Sequence, residues 1–313
     1  MNGVPGRAII ISTGRCGSTL LSDLLHEDSG TLSVQEFFMT AALLAPDDDV
    51  LSGADYWTLL SSPKPDLSTL FRIGMPPKEV HYPSDGRWGG DLTRLPWILA
   101  ITLSKLTPDP DRLFDALAEH VPAFPRQRVS RHHESFLDLL STLGRKRRWV
   151  ERSGGSSYVA PYLLRHYRDA KVVYLTRNWE DTAQSMSRHP SFQLIQLRVE
   201  SLGAHGLDPF RVTPDTAVPE ALERYLPDRL TADTLRERGR DVRRYLGLCA
   251  FMTAQAEQAL GDARLEHLLT MRYEDLVEAP VAELTRLGRF LDLEDPDGWA
   301  ARVAGRVGVP VRA

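Results

Sequence analysis

Residues 8–25, AIIISTGRCGSTLLSDLL, constrain this chain more than any other stretch. Ile9, Ile10 and Ile11 form a β-branched apolar run of the kind found in a strand buried on both faces. Ser12-Thr13-Gly14-Arg15-Cys16-Gly17 reads as a tight turn, and Leu20, Leu21, Leu24 and Leu25 after it fall on one face of a helix. A strand, a glycine-bracketed turn and a helix N-terminus make an anion site, because the first helical amides lack intrahelical partners and the helix dipole is positive there. Gly14 and Gly17 let the backbone approach an anion closely, Ser18 and Thr19 add hydroxyl donors, and Arg15 adds a fixed cation. The plainer alternative is a β-turn joining strand to helix, with Arg15 in solvent. The loop is not the common nucleoside-triphosphate type. That motif, G-x-x-x-x-G-K-[ST], needs a lysine between glycine and hydroxyl residue, and here Ser18 follows Gly17 directly.

A chain of 313 residues has ample material for a core. Its net charge of −4 argues against nucleic acid as a partner, since no excess of positive charge is available to displace counterions. The basic run Arg145-Lys146-Arg147-Arg148 reads as a solvated helix end. Two cysteines, Cys16 and Cys249, leave no disulfide framework, which fits a reducing cytoplasm. No signal peptide is evident, and no apolar stretch approaches the roughly 20 residues of a membrane span. His132, His133 and Glu134 suggest a metal site at first sight, but adjacent histidines point apart, so no metal is expected.

Further along, Leu32–Gln35 reads as a second strand ending at Glu36. Residues 41–147 are broken by prolines and glycines, with helical stretches at 95–106, 111–120 and 134–143, and read as an insertion over the mouth of a sheet. Tyr82, Trp88 and Trp97 within it are candidates to stack on an acceptor, although core packing is the commoner fate of such rings. Trp149-Val150 leads into Glu151-Arg152-Ser153-Gly154-Gly155. A helix then starts near Pro161, with Leu163, Leu164 and Tyr167 as its apolar face. Lys171–Thr176 is a buried strand ending at Arg177-Asn178, and a helix runs from Trp179 to about Arg188. Residues 191–240 read as irregular, followed by a helix over 234–260, a strand at Leu268–Tyr273 and a helix from Val281. The pattern predicts an α/β fold over residues 1–313 as one domain: a parallel β-sheet flanked by helices, with insertions at 41–147 and 191–240.

Three separated motifs resemble one family, the sulfotransferases that use 3′-phosphoadenosine 5′-phosphosulfate (PAPS). STGRCGSTLL resembles their 5′-phosphosulfate loop in the form found in bacterial and tyrosylprotein enzymes. KVVYLTRNWEDTAQS resembles their 3′-phosphate motif, with Arg177 and Ser185 eight positions apart. LLTMRYEDLVEAPVAELTRLGRFLDL is similar to their C-terminal strand and helix. Together the likeness covers residues 8–38, 148–190 and 265–293. It implies a P-loop NTPase-like sulfotransferase fold that takes PAPS, releases 3′,5′-adenosine bisphosphate (PAP) and uses no metal. It also implies a small-molecule acceptor hydroxyl on a carbohydrate, lipid or secondary metabolite. An oligomer is compatible with it. In this reading the backbone of Gly14, Arg15, Cys16, Gly17, Ser18 and Thr19 holds the 5′ end, with the Cys16 thiol as filler. Arg177 and Ser185 take the 3′-phosphate, and Tyr273 approaches the nucleotide. Arg177 as an ion-pair partner of Glu180 or Asp181, and Tyr273 as a core anchor, stay open beside these roles.

The resemblance further implies the catalytic set. Arg15 faces the leaving phosphate oxygen and Arg152 neutralises the sulfonyl oxygens. Glu36, 21 positions after Arg15, is the general base, desolvated by Phe37, Phe38 and the first helix. A glutamate capping a surface turn is the ordinary alternative. The chain departs from the family in places. Glu151-Arg152-Ser153 stands where cytosolic enzymes carry K-T-H, so their histidine base does not transfer. The C-terminal R-K-G segment is missing, with Arg302 or Arg306 as substitutes. A kinase using ATP, or a non-catalytic adenine-nucleotide binder, are the rival functions. The kinase would need the lysine that the loop lacks.

Overall fold

The computed structural model describes residues 6–263 and 267–308, so the first two positions of the 265–293 stretch lie outside the described residues. Seven strands occur among them: β1 (Gly6–Ser12), β2 (Thr31–Gln35), β3 (Val50–Leu51), β4 (Gln127–Arg128), β5 (Arg148–Arg152), β6 (Lys171–Thr176) and β7 (Leu268–Arg272). β3 and β4 pair antiparallel, whereas the other five form one sheet in the order β2-β5-β1-β6-β7 with every pairing parallel. The isoleucine run therefore lies in the central strand, and Ile9, Ile10 and Ile11 are completely buried, each contributing about 1.5–3 kcal/mol. The predicted α/β class and parallel sheet are those of the structure.

Helix α1 (Ser18–His26) follows the turn and lays Leu21, Leu24 and Leu25 into a core with Ile10, Val150 and Val173. Trp299 closes this core and donates its indole N–H to the Leu24 carbonyl at 3.0 Å. Because β5 and β6 flank β1 and β2 flanks β5, four strand ends meet at one edge: Ser12 pairs with Leu175, Ile10 with Arg152, and Gln35 with Arg152. Ligands of open parallel sheets sit outside such carboxyl ends.

Several expectations are corrected. Residues 191–240 are not irregular throughout. Pro190–His205 is a helix with proline at its start and Gly206 in a left-handed conformation at its end, and it buries Phe192, Leu194 and Leu197. The prolines between Pro209 and Pro219 lie beyond the end of this helix. The helix expected over 234–260 is two, Ala232–Arg238 and Arg243–Asp262, broken at Gly239, where a β-carbon would come 2.4 Å from the Ser187 carbonyl oxygen. Within 95–106 the α-helix covers only Trp97–Ala100. The basic run is a solvated helix end only in part: Arg145 is exposed just past the helix Val129–Leu143, whereas Arg148 is buried in β5 and donates to Asp28, Thr31 and the Asp292 carbonyl, and Arg147 pairs with Glu294.

The chain divides into two compact units. One comprises residues 1–57, 118–178 and 251–313 and contains the sheet. The other comprises residues 58–117 and 179–250 and is helical, with a small core of Leu70, Leu194, Leu197, Leu230 and Leu235. Tyr82, Trp88 and Trp97 belong to the helical unit. Tyr82 donates its hydroxyl to Asp111, Trp88 packs edge-on against Tyr82 and Phe114, and Trp97 donates to the Leu59 carbonyl.

Candidate active site

The turn after β1 is built from unusual backbone. Gly14, Arg15 and Gly17 all have positive φ, at 79°, 57° and 89°. Such geometry is cheap for glycine and costly for arginine, so the turn is held from outside. Ser156 does part of this: its hydroxyl accepts the Ser12 amide at 3.0 Å and donates to the Ile10 carbonyl. The Ser12 hydroxyl accepts the Gly14 amide at 3.3 Å. Gly17 caps α1, and among the described residues no side chain caps its first turn and no acidic residue occupies it. The first amides of α1 thus keep the polarity that suits an anion. Cys16 is fully buried in the core cluster, as filler would be.

From the neighbouring strand end, Arg177 donates through Nη1 to the Arg15 carbonyl at 3.3 Å. Its guanidinium also lies over the Tyr273 ring, 4.8 Å from the centroid. The same ring packs onto Gly17 so closely that a β-carbon there would fall 2.2 Å from Cδ2. Glu274, beside Tyr273, accepts the Asn178 amide at 2.7 Å. Loop, arginine and tyrosine, far apart in sequence, form one contact set at adjoining strand ends.

Glu36 lies at the end of β2 with φ 58°. Its carboxylate accepts from Arg152 Nη1 and from the Gly154 amide at 3.0 Å. Arg152 is almost wholly enclosed, and its other terminal nitrogen donates to Gln35 at 2.7 Å. Of the pair, Glu36 is the member that reaches solvent, at 22% exposure against 2% for the arginine side chain. Phe37 and Phe38 pack with Phe136, His133, Trp149 and Tyr167. The carboxylate's partners thus include a guanidinium and a backbone amide.

Residues 159–300 match the sequence model of a protein family described as "Sulfotransferase domain". The matched stretch of the chain is similar to sulfotransferases. No curated protein matches its sequence. Among solved structures it is similar to the sulfotransferase domain from the curacin biosynthetic pathway, with 17% identity, TM-score 0.45, and 92% of this chain and 74% of that one covered. It is also similar to sulfotransferase STF9 from Mycobacterium avium, with 14% identity, TM-score 0.48, and 99% and 70% covered. A third is retinol dehydratase in complex with androsterone and inactive cofactor PAP, with 14% identity, TM-score 0.33, and 97% and 66% covered.

Ser185 lies half-buried on the helix Trp179–Ser187 of the helical unit, whereas the other sequence-predicted site residues lie in the sheet unit. Arg302 pairs with Asp295 and Arg306 with Glu27. His132 and His133 are core residues: one contacts the Leu51 carbonyl, the other the Tyr167 hydroxyl at 3.0 Å, and burial pushes His133 down to about 3. Among the described residues no group of three or more His, Cys, Asp or Glu is arranged to hold a metal, and no helix is long and apolar enough to cross a membrane. The helical unit also carries a cleft of about 400 Å³ lined by five arginines, Arg224, Arg238, Arg240, Arg243 and Arg244. Much of its charge is matched locally, since Glu200 engages Arg238 and Arg244, Glu237 engages Arg224, and Asp241 engages Arg243.

Three contributors escaped the sequence reading: Ser156, Gly154 and Glu151. Ser156 and Gly154 sat in plain view in an E-R-S-G-G-S-S run, but nothing in the run says which backbone it would meet. Glu151 carried a signal, an acid in the middle of a strand that is buried at every position. It is fully enclosed, and burial, with the nearby Glu36 charge, pushes it up to about 7 against the hydrogen bond from Ser153.

Proposed function

We propose that this enzyme moves a sulfonate group from PAPS to the hydroxyl of a small-molecule acceptor by in-line attack, with no covalent enzyme intermediate and no metal. The observation that carries the reading is the meeting of Arg177 with the Gly14–Thr19 turn at 3.3 Å, beneath the ring of Tyr273. The donor bears anionic groups at both ends of one ribose, and adjoining cationic strand ends suit such a molecule. An uncapped helix N-terminus with two glycines of positive φ fits the 5′ end, and a stacked guanidinium fits the 3′-phosphate. Tyr273 would border the nucleotide.

The donor supplies an activated sulfonyl group and a phosphate leaving group. Arg15 and the turn amides stabilise the negative charge that the bridging oxygen gathers. Glu36 takes the proton of the attacking hydroxyl, being the solvent-reaching member of its pair. Arg152 acts here through Glu36, since its guanidinium is enclosed and spent on Glu36 and Gln35. That replaces the direct contact with sulfonyl oxygens expected for it. The acceptor class is a carbohydrate, lipid or secondary-metabolite hydroxyl. A reducing cytoplasm suits two buried, unbridged cysteines.

The test is to incubate the enzyme with PAPS labelled in sulfur and with fractionated small-molecule extracts. Label should pass to a hydroxyl-bearing compound with stoichiometric release of PAP. Transfer of phosphate from ATP–Mg²⁺ instead would overturn the reading in favour of a kinase.

A further inference from the structure

Glu36 sits in a left-handed backbone conformation that is costly for a non-glycine residue, so something must hold it there. On its N-terminal side its own amide donates to the Arg152 carbonyl at 3.0 Å. On its C-terminal side the next two amides, Phe37 and Phe38, both donate to one carboxylate oxygen, Glu151 Oε1, at 3.0 and 3.1 Å. Ser153 completes the arrangement: its hydroxyl donates to the same Oε1 at 2.6 Å and accepts the Met39 amide at 3.0 Å. Three successive amides after Glu36 are thereby gathered by two side chains of the strand end that also provides Arg152 and Gly154. Glu151 is completely enclosed, so it reaches neither donor nor acceptor.

We propose that Glu151 is a positioning residue: by gathering the Phe37 and Phe38 amides on Oε1 it fixes the left-handed turn that aims the Glu36 carboxylate. This rests on Glu36 as the general base. An acid enclosed at the cost of its hydration is hard to explain by packing alone, because an apolar residue would fill the strand without that penalty. A short acceptor that serves two adjacent amides is what an apolar residue cannot supply.

The experiment compares Glu151→Ala, Glu151→Gln and Ser153→Ala, with Glu36→Gln alongside. Glu151→Ala should lower kcat roughly ten- to a hundredfold, the scale of a small misplacement of a catalytic group, with PAP affinity unchanged. Glu151→Gln keeps an acceptor oxygen at Oε1 and should restore most of the rate, and Ser153→Ala should fall in between. Amide hydrogen exchange supplies a readout independent of the base: Glu151→Ala should speed exchange at Phe37 and Phe38. A folded Glu151→Ala enzyme with wild-type kcat and unchanged exchange would overturn the proposal, as would a Gln variant as slow as the Ala one. Should Glu151→Ala not fold, the Gln and Ser153 variants decide by the same criteria. If Glu36→Gln kept full activity while exchange at Phe37 and Phe38 still rose, the base assignment would fail and the positioning of the turn would stand.

Discussion

The ring of Tyr273 fills the space that a side chain on Gly17 would need, with Cδ2 2.2 Å from the position of a β-carbon there. The glycine at the head of α1 is thus required twice, once by its φ of 89° and once by its neighbour.

Gly17→Ala should therefore destabilise the fold by about 1–2 kcal/mol for the left-handed backbone. A further 1–3 kcal/mol, roughly, comes from displacing the ring. Urea denaturation measures the sum. Adding Tyr273→Ala to Gly17→Ala should relieve only the second part, so the double variant falls short of the sum of the two single losses. Strict additivity would mean the ring does not press on this position.

Arg177→Ala should weaken PAP binding by on the order of 1.5–3 kcal/mol, the scale of a lost charge-assisted hydrogen bond. Adenosine 5′-phosphosulfate, which has no 3′-phosphate, should bind the variant as it binds the parent. Arg177→Lys should recover only part of the loss, because lysine lacks the planar face that lies over Tyr273. Isothermal titration calorimetry on the three proteins checks this, and equal losses for both nucleotides would remove Arg177 from the 3′ end.

Glu36→Gln should slow turnover about 10²-fold or more while leaving PAP affinity in place. Steady-state kinetics beside a binding isotherm separates the two. Gly154→Ala is a milder probe of the same spot: a β-carbon there would lie 3.2 Å from Glu36 Oε1, so the carboxylate must shift and kcat should fall with little change in stability.

Glu151 gives the fold a pH signature. Its native value is about 7 against an ordinary 4.5, so the folded state binds a proton that the unfolded chain has released. The stabilisation is complete below about pH 4.5 and is lost as pH rises through about 7, on the order of a few kcal/mol in all. Glu151→Gln should remove this slope. His133, held down to about 3 against an ordinary 6.5, slopes the other way, losing stability as pH falls below 6.5. The difference between parent and Glu151→Gln unfolding energies across pH 4–8 isolates the glutamate, and a flat difference would contradict the account.

How much of this was written in the sequence depends on the reach of each interaction. The isoleucine run, the glycine turn and the leucine face of α1 are local, and local periodicity located them. Arg177 and Glu36 are singled out by the family resemblance, and the structure sets each directly after a strand of the parallel sheet. What escaped was pairwise and distant. Nothing in the spacing of residues says that Arg152 turns inward onto Glu36, that Glu151 reaches back to the Phe37 amide, or that Tyr273 closes over Gly17. The helix Pro190–His205 is hard to see in the sequence for a simpler reason: the prolines that follow it give the whole segment an irregular look.

The central claim, that the turn after β1 and the arginine after β6 grip one doubly anionic adenosine nucleotide, is tested most directly by calorimetric titration with PAP and, separately, with ATP–Mg²⁺. The account predicts saturable one-to-one binding of PAP that is lost to the greater part in Arg177→Ala, with ATP–Mg²⁺ binding more weakly. Tighter binding of ATP–Mg²⁺, or no binding of PAP, would contradict it.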